Sequence, residues 1–158
     1  MTEEKMRKFY GIALAIAELS KDPSTKVGAV IIGPNGEGGP WGYNGAPRGC
    51  SADEVDDPRG ERPEKYYWVA HGETNAITNA ARSGFTTLGC TLVCTHFPCM
   101  GCAKPIVQAG IKKVVCPSPS GEFAERWAED IKRSQILFAE CGVELVTFDT
   151  EKDPAEAG

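Results

Sequence analysis

Histidine is scarce in this chain: its 158 residues include two, His71 and His96, which limits any metal site to two imidazole ligands. Positive charge is not in excess either, since the formal net charge is −5. Proteins that grip a nucleic-acid backbone usually carry a basic excess or a Lys/Arg stripe. A polynucleotide substrate is therefore disfavoured. No apolar run approaches the ~20 residues needed to span a bilayer, and no N-terminal charged-then-apolar pattern marks a secretion signal. Internal repeats and linkers are also missing, so the expectation is one cytoplasmic domain over 1–158, with a frayed acidic tail at 149–158. A chain of this length can bury roughly two-thirds of its unfolded surface.

Cysteine, in contrast, is plentiful. Seven thiols without a secretion signal argue against a disulfide framework and for reduced side chains, some of which hold metal. Apolar positions at Met6, Phe9, Tyr10, Ala13, Ile16 and Ala17 recur at helical spacing and predict a helix over 3–19. The β-branched run 27–32, a Gly-Pro-Asn-Gly turn and residues 40–44 predict an antiparallel hairpin. A Pro-, Gly- and Arg-rich stretch, 45–68, is long for a connection and reads as a lid, binding loop or interface. Beyond it the pattern predicts helices over 72–81, 100–110 and 122–141, alternating with strands over 91–95, 113–116 and 144–148. Such alternation favours parallel pairing of those strands.

Two segments carry chemistry: His71-Gly72-Glu73 and Pro98-Cys99-Met100-Gly101-Cys102. The second opens a predicted helix and puts two thiols on one face of its first turn. A helix N-terminus lowers thiol pKa, and the thiolate is the form that binds metal. With His71, the pair offers Zn²⁺ three ligands and leaves a fourth position for water, as in catalytic rather than structural sites. Glu73 supplies a carboxylate for acid–base work without being needed as a ligand. H-x-E followed by P-C-x-x-C is the pattern of zinc-dependent base deaminases. Unpaired amides around Gly72 and Cys99 are candidates for holding oxygens of the base or of an intermediate. A structural site would need a fourth ligand, for which Cys90, Cys94 and Cys116 are available. His96 as a ligand would close the site, so it is read instead as a strand-end residue lining the pocket. Cys90, Cys94, Cys116 and Cys141 read as small buried apolar residues. Cys50, Arg126 and Trp127 receive no chemistry.

These motifs resemble the cytidine and deoxycytidylate deaminase superfamily. So do Ser20-Lys21-Asp22-Pro23, Val27-Gly28-Ala29-Val30, Gly42-Tyr43-Asn44-Gly45, Asn75-Ala76-Ile77, and the stretch from Phe97 through Lys104 to Ile111. The likeness spans roughly 10–148. It implies a three-layer α/β/α fold, with a five-stranded mixed sheet and helices on both faces. It further implies Zn²⁺ on His71, Cys99 and Cys102, with Glu73 as proton carrier. Hydrolysis of deoxycytidylate to deoxyuridylate and ammonia is the expected reaction. By the same resemblance Asn44 meets the sugar, Val27 and Gly28 wall the base pocket with Gly72, Phe97 and Pro98 nearby, and Lys26 is a candidate 5′-phosphate contact. A homo-oligomer, hexameric in many relatives, and regulation by deoxycytidine and thymidine triphosphates belong to the same expectation. The family's usual His-Ala-Glu is His-Gly-Glu here. The missing methyl at Gly72 is either neutral or makes room for a 5-substituted cytosine. Alternatives are a transfer-RNA adenosine deaminase, a nucleoside or free-base deaminase, and a catalytically silent zinc-binding scaffold subunit. The last has no need of Glu73.

Overall fold

The computed structural model describes residues 1–53 and 57–150. The expected frayed tail lies, from Glu151 onward, outside the described residues. Helix α1 (Glu3–Ala17) begins at Thr2, whose hydroxyl accepts the Lys5 amide at 3.3 Å. Glu3 and Glu4 sit at the positive end of its dipole. Strands β1 (Gly28–Ile32) and β2 (Gly38–Tyr43) form the expected antiparallel hairpin. The 45–68 stretch is more ordered than a bare loop. It holds two 3₁₀ turns (Ser51–Asp53 and Pro58–Gly60) and a one-turn helix, α2 (Lys65–Trp68). Helix α3 (Gly72–Ser83), strand β3 (Thr91–Cys94), helix α4 (Met100–Gln108) and strand β4 (Lys113–Pro117) follow near their predicted bounds.

The periodicity over 122–141 predicts a single helix, but the chain makes two: α5 (Gly121–Arg126) and α6 (Ala128–Glu140). Trp127 divides them at φ −109° and ψ 14°, outside helical geometry. The break allows Phe123 and Trp127 to pack against the same core that buries Ile131 and Phe138 of α6. That demand is tertiary, and sequence spacing does not carry it. Cys141 caps α6 and is exposed, because it falls just past the last turn that faces the core; its expected burial is corrected. Cys90, Cys94 and Cys116 are buried. Strand β5 (Glu144–Phe148) closes the fold.

The five strands lie in the order β2-β1-β3-β4-β5. β1 is antiparallel to both neighbours, while β3, β4 and β5 run parallel. Alternation divides the core in two. Val30, Ile32, Val93 and Val115 meet Ala13 and Ile16 of α1 on one face. Ala29, Ile31, Leu92, Cys94, Val114 and Cys116 meet α3, α4 and α6 on the other. This is the three-layer mixed-sheet architecture that the resemblance implies. α1 lies so close to β1 that a Cβ at Gly28 would stand 2.0 Å from the Ala13 carbonyl oxygen. Only glycine fits there.

Candidate active site

Because β1 and β3 are antiparallel, the start of one and the end of the other share an edge of the sheet. There the Thr95 amide donates to the Gly28 carbonyl and the Gly28 amide to the Thr95 hydroxyl, both at 3.0 Å. α3 and α4 begin beside this edge, with His71 and Cys99 as their N-cap residues. The two helix starts converge on one point. His71 Nδ1 lies 3.3 Å from both Cys99 Sγ and Cys102 Sγ. All three donor atoms lie within 4.8 Å of one another. Tetrahedral zinc, with Zn–S of ~2.3 Å and Zn–N of ~2.0–2.1 Å, requires S···N edges of about 3.6 Å and S···S edges of about 3.8 Å. The cluster is therefore close to zinc-binding dimensions as it stands. His96 is not part of it; its ring meets Phe123 edge-on, with centroids 5.7 Å apart.

Electrostatics suit the same ion. The hydrogen bond from Cys102, joined by that of His71, holds the Cys99 thiol down to about 4, so it is a thiolate at neutral pH. The same contact with Cys99 raises His71 to about 9, and Cys99 together with burial pushes Cys102 upward. Glu73, in the first turn of α3, is 3% exposed, and its Oε2 is buried without a hydrogen-bond partner among the described residues. Burial raises its pKa, against the pull of His71. An orphaned carboxylate oxygen beside three soft and borderline donors is the arrangement an ion and its water would complete.

The cluster opens into a cavity of about 470 Å³, within the range of small-ligand sites. Of the residues named from sequence, His71, Glu73, Cys99, Val27, Asn44 and Phe97 line it, as does His96, read from sequence as a lining residue. Four others do not. Gly28 is taken up by its contact with α1, and Pro98 is fully buried. Lys26 turns outward and pairs with Glu18 at 2.9 Å. A Cβ at Gly72 would point at the backbone, 3.0 Å from the Val27 oxygen and 3.4 Å from that of Gly42. The methyl missing from Gly72 thus opens no space in the cavity, and the reading of room for a 5-substituted cytosine is corrected.

Sequence reasoning passed over several cavity residues. Lys65 of α2, within the stretch read as a lid, binding loop or interface, is buried and donates to Asp22 Oδ2 and to Ser24 Oγ, each at 2.7 Å. Asp22 also caps the amides of Ser24 and Thr25. Burial alone would raise the Asp22 pKa, but these donors, Lys65 foremost, outweigh it and hold the carboxyl below its ordinary value. Asn44 belongs to the same network: Oδ1 accepts the Val27 amide at 2.7 Å and Nδ2 donates to the Thr25 carbonyl at 2.9 Å. From the opposite wall, Asp130 of α6 accepts the Met100 amide at 2.7 Å, capping the metal-site helix from 30 residues away. α4 has no cap from its own N-cap side chain. Only the loop's lone lysine before three aromatics was visible as a signal, because a single helix over 122–141 puts Asp130 in its interior rather than at a helix start.

The sequence profile of the cytidine and deoxycytidylate deaminase zinc-binding region matches residues 3–118. The chain belongs to that family. An uncharacterised deaminase of Aliivibrio fischeri is 43% identical over 145 residues, covering 92% of this chain and 94% of its own. The deoxycytidylate deaminase of Homo sapiens is 36% identical over 143 residues, covering 89% and 77% respectively. Among solved structures, the dCMP deaminase of cyanophage S-TIM5, in complex with dCMP and dUMP, superimposes with a TM-score of 0.75. It is 29% identical, and the match covers 94% of this chain and 99% of that one. Deaminase-family membership and the His71–Cys99–Cys102 geometry agree on zinc as the cofactor.

Proposed function

We propose that this chain hydrolyses the 4-amino group of deoxycytidylate, giving deoxyuridylate and ammonia, with zinc held by His71, Cys99 and Cys102. The observation that carries this reading is Glu73: a buried carboxylate, one oxygen of which has no hydrogen-bond partner among the described residues, beside a three-donor cluster in a nucleotide-sized cavity. When bound, zinc supplies Lewis-acid activation of water, whose pKa falls from 15.7 towards ~7. Glu73 accepts the proton of the attacking water and passes it to ring N3, which makes C4 more electrophilic. It then takes the proton of the C4 hydroxyl and delivers it to the amino nitrogen, so that the C4–N bond breaks and ammonia departs as the C4 oxygen becomes a carbonyl. The raised Glu73 pKa suits a group that must both take and give a proton. Val27 and Phe97, which line the cavity, flank the base. Asn44 borders the sugar and, through its bonds to Val27 and Thr25, keeps that wall in place.

The whole of 1–158 serves this reading as one cytoplasmic deaminase domain. Exposed Trp41, Tyr67 and Leu88 support assembly into a homo-oligomer, since large apolar side chains in contact with water favour burial between subunits. A second hollow lined by Trp41, Tyr43, Arg48 and Arg82 supports binding of deoxycytidine or thymidine triphosphate as effectors. No helix among the described residues is long and apolar enough to cross a membrane.

The test is turnover by zinc-loaded protein of deoxycytidylate, cytidylate, deoxycytidine and an adenosine-bearing RNA hairpin. Preference for deoxycytidylate is the expected result. Preference for the hairpin, or no turnover with zinc bound, overturns the reading.

A further inference from the structure

We infer that Arg62 is the residue that recognises the 5′-phosphate and makes the site select a nucleotide over a nucleoside. This rests on the nucleotide reading above and goes beyond it by naming the cation. Most charged groups that line the cavity are already engaged. Glu73 lies at the floor beside the metal cluster. Asp22 and Lys65 neutralise one another in a buried pair at 2.7 Å. Arg126 is paired with Glu122 at 2.5 Å. Asp130 is held by the Met100 amide. That leaves Arg62, an exposed cavity-lining guanidinium with no ion-pair partner among the described residues.

The placement fits the ligand. The reacting end of a nucleotide must reach Glu73, which is 3% exposed, so its phosphate end must lie towards the open rim, where Arg62 stands. A guanidinium can offer two parallel N–H donors to a phosphate, a geometry an ammonium lacks. Lys65 is the alternative cation, but two of its three protons are already donated to Asp22 and Ser24. A dianion beside it would also meet the Asp22 carboxylate. Lys26 is turned towards Glu18 outside the cavity.

The experiment compares deoxycytidylate with deoxycytidine as substrates for wild type, Arg62→Gln, Arg62→Lys, Lys26→Gln and Arg126→Gln. The readout is the ratio of kcat/KM for nucleotide over nucleoside. Losing a charge-assisted bidentate contact lowers that ratio about ten- to hundredfold in Arg62→Gln, mainly through KM for the nucleotide. Arg62→Lys recovers part of the loss. A wild-type ratio in Arg62→Gln, or a larger fall in Lys26→Gln or Arg126→Gln, overturns the assignment and leaves the nucleotide reading standing. A wild type with no preference between the two substrates overturns both.

Discussion

Replacing Glu73 by glutamine separates the carboxylate's chemistry from everything else it does. The side chain keeps its size, so the packing of α3 against the cavity floor is unchanged, but the proton carrier is gone. In the proposed mechanism Glu73 handles four transfers: from water, to N3, from the C4 hydroxyl and to the leaving amine. General acid–base catalysis contributes about 10²–10⁴-fold, or about 3–5 kcal/mol of barrier. Serving every transfer places this variant near the upper end, a kcat loss of about 10⁴-fold. Stability moves the other way. Glu73 is 3% exposed with an unpartnered Oε2, so the native fold carries the cost of burying that group. A neutral amide relieves part of it, and the melting temperature holds or rises. Zinc content stays at the wild-type level, since His71, Cys99 and Cys102 are untouched. Ammonia release, calorimetry and zinc analysis on one preparation supply the readouts. Activity within tenfold of wild type, or zinc lost in step with activity, would refute the reasoning.

The Asp22–Lys65 pair, whose side chains are 4% and 10% exposed, is a structural keystone of the cavity wall. Lys65→Met leaves a buried carboxylate unpaired and costs about 3–5 kcal/mol, seen as a fall of roughly 6–20 °C in melting temperature. The folded-state Asp22 pKa is lowered, so its contribution is fully present above the unfolded value of about 4 and fades as acid carries the pH down through the folded value. Acid titration of Lys65→Met should lack that component, and an unchanged acid limb would count against it. The two glycines at the site predict opposite results. Gly28→Ala forces a Cβ onto the Ala13 carbonyl and costs about 3 kcal/mol or more, whereas Gly72→Ala stays within ~1 kcal/mol. Gly72→Ala should also leave the ratio of cytosine to 5-methylcytosine turnover as in wild type, and a changed ratio would restore the idea that this position shapes the pocket. Asp130→Ala removes the cap of α4, costing about 1–2 kcal/mol, and should speed zinc loss to a chelator. Wild-type chelation kinetics would show that the cap does not steady the metal site.

Local chemistry was legible without coordinates. Helical and strand periods are properties of neighbouring residues, so α1, the hairpin and the parallel strands could be placed from spacing alone. The metal motif was equally readable, because His71 and Glu73 sit two residues apart and Cys99 and Cys102 three apart on single helical turns. What joins segments distant along the chain was not. Lys26 and Lys65 look alike as letters, yet a bond spanning 43 positions draws Lys65 inward while Glu18 draws Lys26 outward. Gly72 invited a reading about the pocket because the direction of an absent Cβ depends on where Val27 and Gly42 pass. The break at Trp127, the cap from Asp130 and the lack of an ion-pair partner for Arg62 among the described residues belong to the same class. Each depends on what the folded chain brings alongside, so the residues alone determined the reaction's machinery and only the tertiary structure decided what surrounds it.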